Sequence, residues 1–157
     1  MSPPKSPPSP PSPPPPSTTK VTTPNLAPPL AGHTIGSPDS SFVIAEWQDP
    51  GAPAGPPRFI APLHLHRSDD EAWYVLEGTL IVRVGDHDVE VRAGASILVP
   101  RGTPHTYWNP GPERARYLLV MTPNIARLIQ AIHALPEKTP ATLRAVFQEH
   151  DSEFLIP

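Results

Sequence analysis

Between Phe42 and Met121 the chain is cut every few residues by glycine or proline, and the pieces between the cuts are rich in β-branched and aromatic residues. A long helix cannot cross such breaks, and short runs of this composition read as strands. The expected strands are Ser41–Trp47, Glu71–Glu77, Thr79–Val84, His87–Val91, Ala95–Val99, Thr103–Asn109 and Ala115–Met121. Asp49-Pro50-Gly51, Gly85-Asp86, Arg92–Gly94, Pro100-Arg101-Gly102 and Asn109-Pro110-Gly111-Pro112 supply the turns between them. Ala52–Pro57 reads as an exposed loop, with Arg58–Ile60 leading into the next strand. Many short strands at this spacing predict an all-β sandwich or barrel.

The 157 residues are enough for one domain, and 27 prolines set part of the chain outside any core. Met1–Pro16 holds little besides Ser and Pro; it has no large apolar side chain beyond the initiator and reads as an extended, disordered tail. A docking segment or a phosphorylation target at its Ser-Pro steps is the functional alternative. The expected division is a Pro/Ser-rich tail over residues 1–30, a barrel over 31–122 and a helical extension packed on it over 123–157. In the extension, Thr122-Pro123 and Thr139-Pro140 each offer an N-cap followed by proline at the first helical position. Ile125, Leu128, Ile129 and Ile132 fall on one face of the first helix, and Leu143, Val146 and Phe147 on one face of the second. Such short helices need a surface to pack on: the outside of the barrel, or its mouth.

Twelve Lys plus Arg against 15 Asp plus Glu leave a net charge of −3, and the basic residues are scattered, so no nucleic-acid footprint is visible. The absence of cysteine excludes a disulfide framework, a thiolate metal site and a cysteine nucleophile. No apolar run has the length of a membrane span, and the start lacks the apolar segment of a signal peptide, so a soluble, cytoplasmic protein is expected.

Chemistry concentrates in two stretches. In His64-Leu65-His66 an extended backbone puts both imidazoles on one face, and a polar turn, Arg67–Asp70, lets the chain reverse into a strand that opens with Glu71. Two imidazoles and a carboxylate suit a divalent transition metal, and a pair of strands can present all three inward. Asp69 and Asp70 are rival carboxylates, although a place in the turn favours their solvation. A further donor, His105, follows the Pro100-Arg101-Gly102 turn. Three imidazoles and one monodentate carboxylate on a six-coordinate ion leave two neighbouring positions for water, substrate or dioxygen. Iron, manganese, nickel, copper and zinc all remain candidates. If Glu71 faces inward, Trp73 and Val75 follow it; if His105 does, so do Tyr107 and Asn109. Core packing is the ordinary role for the aromatic pair, and Tyr107 is the better catalytic candidate because a buried hydroxyl needs a partner. Arg58, Arg83 and Arg101 could meet an anionic substrate or simply lie on exposed faces. His33, His87, His133 and His150 stand alone and carry no site.

These two stretches together resemble the paired motifs of the cupin superfamily. The first, His-x-His, four residues, Glu, six residues, Gly, is met by His64, His66, Glu71 and Gly78; the second, Gly, five residues, Pro-x-Gly, two residues, His, three residues, Asn, by Gly94, Pro100, Gly102, His105 and Asn109. The glycine that often precedes the first histidine by five residues is absent. The resemblance covers Phe42 to Met121 and is nearest to small single-domain bacterial cupins. It implies a double-stranded β-helix (jelly-roll) barrel, here with a short C-terminal helical tail and a disordered Pro-rich N-terminus. It also implies a metal held by His64, His66, Glu71 and His105, and frequent homodimerisation.

Fold does not give activity. The first expectation is a metal-dependent dioxygenase, an oxidoreductase acting on a small aromatic or flavonol-like molecule, with Glu71 as base. The second is a non-oxidative isomerase, cyclase or decarboxylase, and the third a small-ligand binding module without chemistry. The missing cysteine excludes a thiol dioxygenase of the Cys-Tyr crosslinked type.

Overall fold

The computed structural model describes residues 34–155, so the proline-rich tail lies outside the described residues. Two five-stranded antiparallel sheets face each other. The first has the order β1 (Thr34–Ile35), β2 (Val43–Asp49), β9 (Ala115–Met121), β4 (Glu71–Glu77) and β7 (Ser96–Val99). The second has the order β10 (Ser152–Phe154), β3 (His64–His66), β8 (His105–Trp108), β5 (Thr79–Val84) and β6 (His87–Arg92). Two helices, α1 (Pro123–Ala134) and α2 (Pro140–Glu149), stand between β9 and β10. The all-β double-stranded β-helix expected from the sequence is the fold observed.

Period-two patterning builds the core. Glu71, Trp73 and Val75 of β4, Ala115, Tyr117, Leu119 and Met121 of β9, Val43 and Ala45 of β2, and Leu80 and Val82 of β5 are buried, and their neighbours alternate outward. The four residues of β8 are all buried because a second layer covers its outer side: Ile60 N donates to Tyr107 O, Thr106 Oγ1 to Ala61 O, and Phe59 meets Trp108 edge-on at 5.4 Å. The outer face of the first sheet instead carries a row of apolar residues in register, Ile44, Val120, Ala72 and Leu98.

Two glycines are demanded by the backbone. Gly102 has φ +74° at the third position of the Pro100–Thr103 turn, and its amide donates to His66 O, tying this turn to β3. At Gly78 (φ +75°) a Cβ would come within 2.4 Å of Arg114 O.

Both helices begin where the Thr-Pro pairs predict: Thr122 caps α1, and Thr139 forms a reciprocal capping box with Thr142 at the start of α2. Beyond α2 the chain turns through Asp151, whose φ is +50°, and returns as β10 to pair with β3, Ser152 opposite His66. Neither β1 nor β10 is foreseen in the sequence. The strand expected at Ser41–Trp47 runs from Val43 to Asp49, two residues past its expected end and one into what reads as turn.

Candidate metal centre

His64 and His105 are directly paired across β3 and β8, and His66 follows on the same inward face, so the second sheet supplies three imidazoles. Glu71 comes from the other side of the barrel. Its strand, β4, pairs with β7 and β9 and not with β3, so Arg67–Asp70 is a crossing between sheets and not the hairpin reversal expected. Packed sheets stand roughly 10 Å apart, a gap that facing side chains can close. All four residues are buried, and one ligand atom from each lies within 4.8 Å of the others.

The hydrogen bonds fix which atoms face inward. His64 Nδ1 donates to Pro62 O at 2.7 Å and His105 Nδ1 to Thr103 O at 2.8 Å. His66 Nδ1 lies 2.9 Å from Ser152 Oγ, and that hydroxyl donates its own proton to His150 O at 3.0 Å, so the serine must accept from the imidazole. A neutral histidine has one ring proton, and in each case it is engaged on the outer side. Each Nε2 is left as a lone pair directed at the centre.

There Glu71 Oε2 stands 3.1 Å from His105 Nε2 and 3.4 Å from His66 Nε2, and the latter nitrogen is buried without a hydrogen-bond partner. Lone pairs and a carboxylate so close require a cation or protons between them, and this donor set, three imidazoles and one carboxylate, fits a divalent transition metal. Burial, reinforced by His105, pushes the His64 imidazole down to about 3, so it is neutral at physiological pH. Burial alone would raise the Glu71 carboxyl, but the adjoining His105 and His66 prevail and hold it at about 2, ionised.

The acidic neighbours are committed elsewhere. Asp69 accepts from Asn124 Nδ2 at the start of α1, and Asp70 takes both the backbone amide and the guanidinium of Arg101. Neither competes for the centre.

A cavity of about 120 Å³ opens beside His64, His66 and Glu71, with His105 behind them. Trp47, Ile60, Tyr107 and Leu119 line its barrel side, and α1 and α2 close over it with Ile125, Leu128, Ile129, Ile132 and Phe147. His133, which stands alone in the sequence, sits at its rim edge-on to Trp47 at 5.8 Å. Tyr107 faces this space with its hydroxyl 3.1 Å from that of Tyr117, and burial raises both phenols, Tyr117 to about 12, so both remain protonated. Trp73 packs in the core against Tyr107 and His105. Asn109 does not reach the interior: its side chain donates to Glu113 O and accepts from Gly111 N, shaping the turn. Arg58, Arg83 and Arg101 are paired with Asp49, Asp88 and Asp70, and none of them lines the cavity.

Ser152 and Asn124 are the residues that sequence reasoning missed. Asn124 Nδ2 bridges Asp69 and His150 O, joining α1 to the ligand turn and to the end of α2. Ser152 lies 86 residues from the imidazole it orients, and no local pattern marks it.

Residues 54–121 match the family model described as a cupin domain. Among curated proteins the chain is 33% identical over 60 residues to the tetracenomycin polyketide synthase protein TcmJ of Streptomyces glaucescens, covering 38% of this chain and 40% of that protein. It is 34% identical over 76 residues to a mannose-1-phosphate guanylyltransferase of Salmonella muenchen, covering 48% of this chain and 15% of that one. The chain thus spans well under half the length of these curated relatives. Among solved structures, a Klebsiella pneumoniae protein with a double-stranded β-helix domain is 26% identical, with a TM-score of 0.43 over 53% of this chain and 68% of that one.

Proposed function

The chain belongs to the cupin superfamily, with its cupin domain over residues 54–121, and on that premise we propose that it is a divalent-metal-dependent enzyme acting on a small organic molecule. The observation that carries this reading is the convergence of three Nε2 lone pairs and Glu71 Oε2 at the floor of a lined cavity, each imidazole held from behind. His64, His66, Glu71 and His105 would hold the ion. When bound, the metal would supply a Lewis acid with open positions, for dioxygen in a dioxygenase or for a substrate oxygen in a non-oxidative isomerase, cyclase or decarboxylase. We favour the dioxygenase, because the chamber wall is aromatic and aliphatic.

The residues' own parts follow from their state. Glu71, ionised, can take a proton from a substrate carbon or hydroxyl beside it. Tyr107 stays protonated, and its hydroxyl, positioned by that of Tyr117 at 3.1 Å, can donate a hydrogen bond toward the chamber when Tyr117 donates to it. In the proposed assembly two copies stack through the Ile44–Val120–Ala72–Leu98 row on the outer face of the first sheet, within the cytoplasm. Among the described residues no helix is long and apolar enough to cross a membrane.

The test is elemental analysis of protein purified without chelator or nickel affinity resin, followed by turnover of a panel of small phenols and enols with and without air. One equivalent of a transition metal and oxygen-dependent turnover are expected. Turnover that persists without oxygen assigns the non-oxidative class, stoichiometric metal without turnover of any compound leaves a binding module, and metal-free active protein overturns the proposal.

A further inference from the structure

Resting on that metal-enzyme reading, we infer that the chamber selects a compact, largely apolar molecule of about one ring, carrying a single oxygen donor and no second charge, and that helix α1 imposes this choice. Four side chains of α1, Ile125, Leu128, Ile129 and Ile132, form the roof, with Phe147 of α2 beside them. No lysine or arginine lines the chamber among the described residues. Arg67, next to His66 in the chain, is held by Glu153 at 3.0 Å, and Arg58, Arg83 and Arg101 are held by carboxylates at 2.8, 2.6 and 3.0 Å; none of the four lines the chamber.

A phosphate or a second carboxylate would therefore be buried beneath aliphatic side chains with no lysine or arginine to meet it, the one further basic side chain, His133, standing at the rim against Trp47. At the floor the donor set holds a single carboxylate, Glu71, so a divalent ion held there would keep charge for one phenolate or enolate oxygen. The size agrees with this class: an apolar cavity of about 150 Å³ holds benzene, and this one is about 120 Å³. The smaller volume admits at most one ring, with its oxygen toward the donors, whereas the three rings of a flavonol exceed it.

The experiment uses the full chain loaded with zinc, with metal content measured first, and follows 4-fluorophenol by 19F NMR with phenol, glucose 6-phosphate and succinate as competitors. Saturable binding that phenol displaces and the two multiply charged compounds do not is the expected result. Ile129→Lys should keep its zinc, weaken 4-fluorophenol by about tenfold, the loss expected from removing one apolar wall, and allow glucose 6-phosphate to compete. Ile129→Met, which keeps an apolar wall, should still exclude glucose 6-phosphate. If Ile129→Lys does not fold, the competition series on the parent protein decides alone. Glucose 6-phosphate or succinate binding the zinc-loaded parent as tightly as phenol does, or 4-fluorophenol failing to bind, overturns the inference while leaving the metal reading intact. Absence of zinc uptake overturns the metal reading instead; metal-free protein must then still prefer 4-fluorophenol to glucose 6-phosphate for the apolar selection to stand.

Discussion

The interior and the surface of this barrel handle charge in opposite ways. Inside, Glu71 is buried with three imidazoles and no arginine or lysine; outside, Arg58, Arg67, Arg83, Arg101 and Arg114 are each matched to a nearby carboxylate. Asp70 and Glu71 are adjacent in the chain and show the contrast within one peptide bond: one faces Arg101 in solvent, the other faces histidines in the core. Exposed pairs contribute little, because water already solvates both partners. A buried carboxylate among lone pairs is costly unless something positive joins it. The interior could thus take up a cation, and these surface arginines are already paired.

The contrast is broken most sharply by removing an inner ligand. His105→Ala or His64→Ala should weaken metal binding by more than about 100-fold, since loss of an outer hydrogen bond alone costs 10- to 100-fold; a competition titration against a chromophoric chelator measures it. Acid should act next. The unfolded chain protonates His64 near pH 6.5 and the folded one only near 3, so stability of the metal-free protein is complete above pH 6.5 and lost as pH falls toward 3. Glu71 adds a second loss between 4.5 and about 2, so the decline should be steepest where both windows overlap, between 4.5 and 3. Urea unfolding at a series of pH values checks this, and His64→Gln should flatten the upper limb.

Ser152→Ala frees the His66 ring and should weaken metal binding by about 10- to 100-fold with little change in the fold, whereas Ser152→Thr keeps the hydroxyl and most of the affinity. Histidine 15N chemical shifts of the metal-free protein would show the His66 tautomer becoming mixed in the alanine variant alone. Thr139→Ala removes the capping box of α2 and should cost about 1 kcal/mol, read by thermal unfolding. At the far end of the scale, Arg83→Gln on the surface should leave both metal affinity and the unfolding midpoint unchanged; a measurable loss of metal would show that the outer pairs and the inner centre are coupled after all.

Much of the molecule was legible locally. The bounds of β4, β5 and β9 and the starts of both helices follow from alternation, glycine turns and Thr-Pro caps, which act within a few residues of themselves. The spacing of His64, His66, Glu71 and His105 marked the centre for the same reason: strand period puts i and i+2 on one face wherever the strand packs. Asn109 was misplaced because β8 ends at Trp108, and a side chain that bonds its own turn outcompetes the strand period.

Local order along the chain thus marks the inner strands from β2 to β9, the caps and the four candidate donors, since each depends on near neighbours. Only the tertiary structure decided that Glu71 approaches from the opposite sheet, that α1 and α2 roof the chamber, and that Ser152 of β10 holds His66. These are contacts between segments far apart in sequence, fixed when the whole chain closes and the apolar helix faces pack over the chamber, so no window of residues carries their signal.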